Sequence, residues 1–187
     1  MHPSRHQSRW AYTLVASAAA IAGLALSPLT SAALNASVAV AEPVAAVDSA
    51  APMDATTAEL QLLELTNRDR LENGLQPLAL DPSTLSVARE RAATQLELPA
   101  LSHYDPAGQL AFVQLLEQSG VDYTLAGENL ARSSAVDSDV TERVEDALMR
   151  SPTHRKNILE QTFTHVSIGA ATDDQGRITF AEIFRAE

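Results

Sequence analysis

The sequence is 187 residues long, and its 45% hydrophobic content can supply one well-buried core but is short for two domains plus an export signal. The formal net charge of −11 argues against nucleic acid and anionic lipid as partners, because a strongly acidic surface repels phosphate. The chain has no cysteine, which excludes disulfides, thiolate metal ligands and a cysteine nucleophile. Any metal site must therefore use histidine, carboxylate or carbonyl ligands.

The N-terminal segment has the layout of an export signal. Residues 1–10 are polar and basic, and the run from Ala11 to Leu29 is apolar and rich in Ala and Leu. Small residues suited to cleavage follow at Thr30-Ser31-Ala32 and at Ala39-Val40-Ala41, and the second is the cleaner motif. We therefore predict a signal peptide over 1–41, a flexible linker over 42–55, and a secreted or periplasmic product without stable membrane insertion. The alternative is an uncleaved anchor, because about 19 apolar residues can just span a bilayer.

Apolar periodicity predicts about four helices in the domain over residues 56–187. The first begins at a capping box, Thr56-Thr57-Ala58-Glu59, and runs from about Thr57 to Asn73. Its predicted apolar face carries Leu60, Leu63, Asn67 and Leu71. The second follows Asp81-Pro82, with Asp81 as the N-cap. The third carries Leu110 and Val113 and ends at Gly120, the fourth is capped by Asp137 or Ser138, and a short helix follows over Thr153 to Leu159.

The C-terminal part changes to a strand pattern. His165 to Thr172 and Arg177 to Phe184 are β-prone runs, and Asp173-Asp174-Gln175-Gly176 between them is typical of a hairpin turn. In the second run Ile178, Phe180 and Phe184 fall on one face with Glu182 among them. Gly127-Glu128-Asn129 is predicted to be a strand or its edge. Helices followed by an antiparallel hairpin indicate an α+β fold in which helices cover a sheet.

Five short strings occur in an order that resembles one family. They are Asn67-Arg68-Asp69-Arg70 with Gly74-Leu75-Gln76-Pro77-Leu78, Ser102-His103 before Gly108, Gly127-Glu128-Asn129, Ser151-Pro152-Thr153-His154-Arg155-Lys156-Asn157-Ile158-Leu159, and Phe163-Thr164-His165-Val166-Ser167-Ile168-Gly169. Together they resemble the bacterial branch of the CAP superfamily, the SCP-like extracellular domain of cysteine-rich secretory, antigen 5 and pathogenesis-related proteins. The resemblance covers nearly all of the chain after Ala55.

The resemblance implies an α-β-α sandwich, export from the cell, and a central cleft where two histidines and acidic residues converge, sometimes around a divalent metal. By motif match the cleft residues are His103, Glu128 and His154. Many eukaryotic relatives place a Glu three residues after a Trp, where this chain has Leu148 and Ser151. The second acid of the family is therefore unmatched, and a three-residue site is predicted.

Two imidazoles and one carboxylate are a sufficient ligand set for zinc or a similar ion, so we predict His103, Glu128 and His154 as a metal site. The alternative is that the histidines are ordinary buried polar groups and that Glu128 only accepts from backbone amides. Asn67 and Asn129 are interpreted as structural, and His165 is left out of the site. Proximity in sequence between a serine and a histidine does not make a catalytic triad, so a serine hydrolase is disfavoured.

Two functions compete on these grounds. The first is an exported binding or interaction module whose cleft holds a metal, a small ligand or an extracellular partner without turnover. The second is a metal-dependent, peptidase-like hydrolase acting on envelope or extracellular substrates. The unmatched acid and the lack of an obvious nucleophile favour the first, and no catalytic residue is assigned. A third possibility is that the histidines only stabilise the fold.

Overall fold

The computed structural model describes residues 53–187 and, by their backbone alone, two short strands, β1 (Tyr12–Val15) and β2 (Ala19–Ile21). Apart from these two strands, the predicted signal peptide over 1–41 lies outside the described residues, as does most of the predicted linker over 42–55, so both stay predictions. In the described part of the chain, no helix combines the length and the apolar character needed to cross a membrane.

Each predicted helix is present within residues 53–187. The helices are α1 (Ala55–Glu72), α2 (Leu85–Glu97), α3 (Ala111–Gln118), α4 (Val140–Arg150) and α5 (Pro152–Ile158). Proline at the first position of α5 needs no hydrogen-bond acceptor for a backbone amide, which allows α5 to start directly after α4.

A six-stranded sheet forms the centre of the domain: β1 and β2 join it at β4, and the strands of residues 53–187 follow in the order β4, β6, β5, β3. These four strands are β3 (Ala79–Leu80), β4 (Leu125–Ser133), β5 (His165–Thr172) and β6 (Ile178–Ala186). The β5–β6 hairpin and the β4–β6 pair are antiparallel, which confirms the predicted hairpin and the predicted strand around Glu128. Two-residue β3 pairs in parallel with β5, and β1 and β2 pair in parallel with β4.

The two faces of β6 pack against different sets of helices. Phe180 and Phe184 join a core built with α1, α4 and α5. Ile183 points to the other face and joins a second core with residues of α2 and α3, Phe112 among them. Every residue of β6 is buried, because helices cover the sheet on both sides. The domain is therefore the α-β-α sandwich that the resemblance implied.

Helix α2 lies unusually close to the sheet at Gly169 of β5. A Cβ atom at this position would overlap the backbone of Ala88 and Arg89, so only glycine permits the contact. The close packing sets the height of α2 above the sheet. Arg91, less than one turn further along α2, is thereby held over β4, where the candidate site lies.

Two details predicted for α1 were wrong. The N-cap is Asp54, whose carboxylate accepts from the amide of Thr57, and the predicted capping acid Glu59 instead pairs with Arg89 of α2. Leu60 and Leu71 are 53% and 58% exposed, so the predicted apolar face does not enter the core.

The buried face of α1 carries Ala58, Glu59, Leu62, Thr66 and Arg70. Hydrophobic periodicity missed this face because three of these five side chains are polar. They are buried because their polar atoms have partners, as Arg70 shows by donating to the carbonyl groups of Gln76, Ile158 and Glu160.

The predicted caps of two other helices were also wrong. The N-cap of α2 is Thr84, while the carboxylate of Asp81 accepts from Ser83 and from Arg185. The N-cap of α4 is Asp139, without a side-chain capping bond. In both cases the predicted acidic residue lies a few positions earlier and closes a turn instead.

Candidate functional site

His103 and Glu128 form a buried contact between a loop and the central sheet. His103 lies in the loop between α2 and α3, and Glu128 lies in the middle of β4. The His103 Nδ1 atom is 2.6 Å from Glu128 Oε2, and the two residues are 5% and 0% exposed. With its proton on Nδ1, the ring donates to the carboxylate and directs the lone pair of Nε2 away from it.

Arg91 of α2 completes this contact. Its Nε donates to Glu128 Oε1 at 2.6 Å and its Nη2 donates to Oε2 at 3.3 Å, which neutralises the buried carboxylate. Nη2 also donates to the carbonyl of Ser102, and the Gln95 amide binds both the N–H and the carbonyl of Ser102. The loop that carries His103 is thus fixed to α2 by two side chains.

His154 reaches the same region from α5. Its carbonyl accepts from Asn129 Nδ2 at 3.3 Å. Asn157, one turn later, donates to the carbonyl of Glu128 and to Asn129 Oδ1. These amide contacts dock α5 on β4. Asn129 therefore has the structural role predicted for it, as does Asn67, which exchanges two hydrogen bonds with the backbone of Leu78.

The electrostatics of the site favour a neutral His154. Burial, and next the electrostatic interaction with His103, lower the pKa of His154 to about 4. His154 is 1% exposed, and both of its ring nitrogens lack a hydrogen-bond partner within residues 53–187. The Nε2 atom of His103 is buried and unpartnered in the same way. Buried polar atoms normally have partners, so these three nitrogens call for a water molecule, an ion or a ligand atom.

The low pKa of His154 predicts a loss of stability in acid. Because the folded-state pKa is below the unfolded one, the unfolded chain binds more protons between pH 6.5 and 4. In the presence of a chelator, the free energy of unfolding of the wild type should fall by up to about 3 kcal/mol relative to that of His154→Gln as the pH decreases over this window. Above pH 7 the stability curves of the two proteins should run parallel. Urea denaturation from pH 4 to 8 measures this, with His165→Gln as the control. A constant difference between wild type and His154→Gln would contradict it.

The donors without a partner at the candidate site are imidazole nitrogens, whereas the Glu128 carboxylate is already occupied. Both carboxylate oxygens of Glu128 accept from Arg91, and one also contacts His103, whereas the free nitrogens of His103 and His154 are available. In the described residues no group of three or more His, Asp or Glu side chains has the arrangement of a metal site. Glu128 as a third ligand therefore stays a prediction, and its observed contacts suit a residue that orients His103.

A second buried polar cluster lies on the opposite face of the sheet and was not predicted. The hydroxyl of Thr66 bridges Glu145 of α4 and Glu182 of β6, and Asn129 donates to Glu182. Burial, the charge of Glu182 and contact with Asp69 raise the pKa of Glu145 to about 10, and burial raises that of Glu182 to about 7. At neutral pH Glu145 is therefore a neutral acid.

Other residues considered in the sequence lie apart from the histidines' ring nitrogens. The hydroxyl of Ser102 donates to the Tyr104 carbonyl, and that of Ser151 contacts Thr153. His165 contacts the hydroxyl of Thr164 at the start of β5. None of these contacts joins a serine to a histidine.

Sequence comparison gives the class of protein. The chain matches CAP, the Cysteine-rich secretory protein family, over residues 63–184, which include all three site residues. The chain belongs to this family.

Individual relatives agree with this. The YkwD protein of Bacillus subtilis (strain 168) is 32% identical over 121 residues, which are 65% of this chain and 45% of YkwD. An extracellular protein containing an SCP domain from Bacillus anthracis is 27% identical, with a TM-score of 0.57 over 71% of this chain and 41% of that one. An outer surface protein of Borrelia burgdorferi has the same fold, with a TM-score of 0.60 at 18% identity over 73% of this chain and 98% of that one. The chain thus spans less than half the length of the two Bacillus relatives.

Proposed function

We propose that the chain is an exported binding module in which the imidazoles of His103 and His154 take up a divalent metal ion such as zinc, without turnover. One observation carries the proposal: three ring nitrogens, on two histidines that interact electrostatically, are buried without a partner in the described residues. The low pKa of His154 supports it, because a metal binds the neutral imidazole.

Glu128 has an orienting role in this proposal. Its contact with His103 Nδ1 fixes the ring and leaves Nε2 as the ligand atom, and Arg91 holds the carboxylate in place. A bound divalent ion would coordinate an oxygen atom of an extracellular ligand or partner.

A metal-dependent hydrolase is the competing function. It requires a base that can take a proton from water, and Glu128 is the carboxylate that directly contacts His103. Both oxygens of Glu128 already accept hydrogen bonds from Arg91, and its charge is neutralised. This occupied carboxylate favours binding over turnover.

Export is supported by two observations. The first 41 residues have the basic and apolar regions of a signal peptide. Related structures include an extracellular protein and an outer surface protein. We infer that this chain also acts outside the cytoplasm.

Calorimetric titration of the full chain with zinc tests the proposal. We expect one site per chain, lost in His103→Ala and in His154→Ala and kept in the control His165→Ala, with all variants equally folded by circular dichroism. Absence of zinc binding by the folded wild type, or unchanged binding in both site variants, would overturn it. Turnover of an unstructured substrate such as casein by the zinc-loaded chain, abolished by His103→Ala, would support the hydrolase instead.

A further inference from the structure

A cavity of about 570 Å³ lies beside the candidate site, between α2, the loop after it and α3. Its volume is in the range of small-molecule sites. The lining is mostly apolar and includes Leu98, Pro99, Ala100, Leu101, Ala111 and Leu115. His103, Glu128 and His154 are not among the lining residues, so the cavity is separate from the proposed metal site.

The cavity has one buried polar anchor, Arg91. This side chain lines the cavity and is 3% exposed. Its Nε and Nη2 atoms donate to Glu128 and to the carbonyl of Ser102, and Nη1 takes no part in these three contacts. A charged side chain held in place by two neighbours is a preorganised hydrogen-bonding group for a ligand in the cavity.

The charges around the cavity decide what kind of ligand fits. Arg91 is the one cation among the described lining residues, and Glu128 already neutralises it. Two carboxylates, those of Glu90 and Asp105, also line the cavity. An anionic ligand would meet these carboxylates without a free positive charge to compensate for them. A cationic group is a donor and offers the Arg91 guanidinium no hydrogen-bond acceptor. An uncharged ligand that carries an acceptor oxygen meets both conditions.

We propose that this cavity binds an uncharged amphipathic small molecule, with its apolar body against Leu98, Leu101 and Leu115 and a carbonyl or hydroxyl oxygen accepting from Arg91 Nη1. The site is independent of the metal, so it stands or falls separately from the proposed function. Its ligand would contact Arg91, which in turn contacts Glu128 of the candidate metal site.

The test uses Nile red, a neutral dye with a carbonyl acceptor, added to the full chain in the presence of a chelator. Ala100→Trp fills the cavity from an exposed loop position, and Gln118→Trp fills it from the exposed end of α3. Ala107→Trp is the matched control, because Ala107 is exposed in the same loop and does not line the cavity. Thermal unfolding by circular dichroism identifies the variants that remain folded.

We expect saturable Nile red fluorescence at one site per chain, weakened at least about tenfold in the folded cavity-filling variants and unchanged in Ala107→Trp. The anionic dye 1-anilinonaphthalene-8-sulfonate should bind this site more weakly than Nile red. Dye binding that is absent, or equal in the cavity-filling and control variants, would overturn the proposal. Tighter binding of the anionic dye at the same site would overturn the assignment of an uncharged ligand.

Discussion

Replacing Arg91 with leucine is expected to lower the free energy of unfolding by about 3–5 kcal/mol, because Glu128 would keep a buried charge without its partner. The same change removes one of the two α2 side chains that bind the Ser102 carbonyl, which loosens the loop carrying His103. Urea denaturation at pH 7 measures the loss. The double variant Arg91→Leu/Glu128→Leu should recover part of it, because the unpaired charge is removed with its partner.

The control for this prediction is Arg150→Leu on α4. Arg150 is 73% exposed and lies 3.5 Å from Asp146, so its ion pair is screened by water and should change stability by less than about 0.5 kcal/mol. Equal effects of Arg91→Leu and Arg150→Leu would contradict the view that the buried pair organises the site.

Glu145→Gln is expected to stabilise the protein increasingly as the pH rises. The folded-state pKa of Glu145 is raised to about 10, so the folded chain keeps a proton that the unfolded chain releases above pH 4.5. The protonated Glu145 therefore makes its full contribution to the stability of the wild type below pH 4.5. This contribution is lost as the pH rises, by up to about 1.4 kcal/mol per pH unit. Glutamine cannot ionise, so the variant should gain a few kcal/mol over the wild type by pH 8.

Denaturation of Glu145→Gln and wild type between pH 4 and 9 checks this difference. Glu142→Gln is the matched control, since Glu142 is exposed on the same helix. A difference between Glu145→Gln and wild type that does not change with pH would show that Glu145 is ionised in the folded protein. The pH dependence of stability caused by His154 has the opposite sign and extends to lower pH. Comparison of the single variants separates the contributions of Glu145 and His154.

The sequence predicted the elements of the fold well, since apolar positions and turn residues report directly on helices and hairpins. The β5–β6 hairpin illustrates this, with a φ of +74° at Gly176 in the predicted turn. The prediction from apolar positions failed for the buried face of α1, where Thr66 and Arg70 are buried. Polar residues enter a core only when distant groups satisfy them, and those groups here are the Glu182 carboxyl and carbonyl groups at the end of α5 and just after it.

For the candidate site, the motifs indicated which histidines and which acid to examine, and the structure brings His103 and Glu128 into contact. The motifs did not indicate Arg91, although a cation between Ala88 and Ala92 on the buried face of α2 was a detectable signal in the sequence. Glu145, between the buried residues Val144 and Leu148, carried a similar signal. Neither pattern identifies the partner of the charge, because that partner lies in a different element.

The most direct test of the proposed metal site is the X-ray absorption spectrum of the zinc-loaded chain. The account predicts two imidazole nitrogens at about 2.0–2.1 Å from zinc, with the remaining positions filled by water and the spectrum unchanged by Glu128→Gln in any folded sample. A spectrum of fully hydrated zinc, or a zinc environment of carboxylate oxygens that Glu128→Gln disrupts, would contradict it.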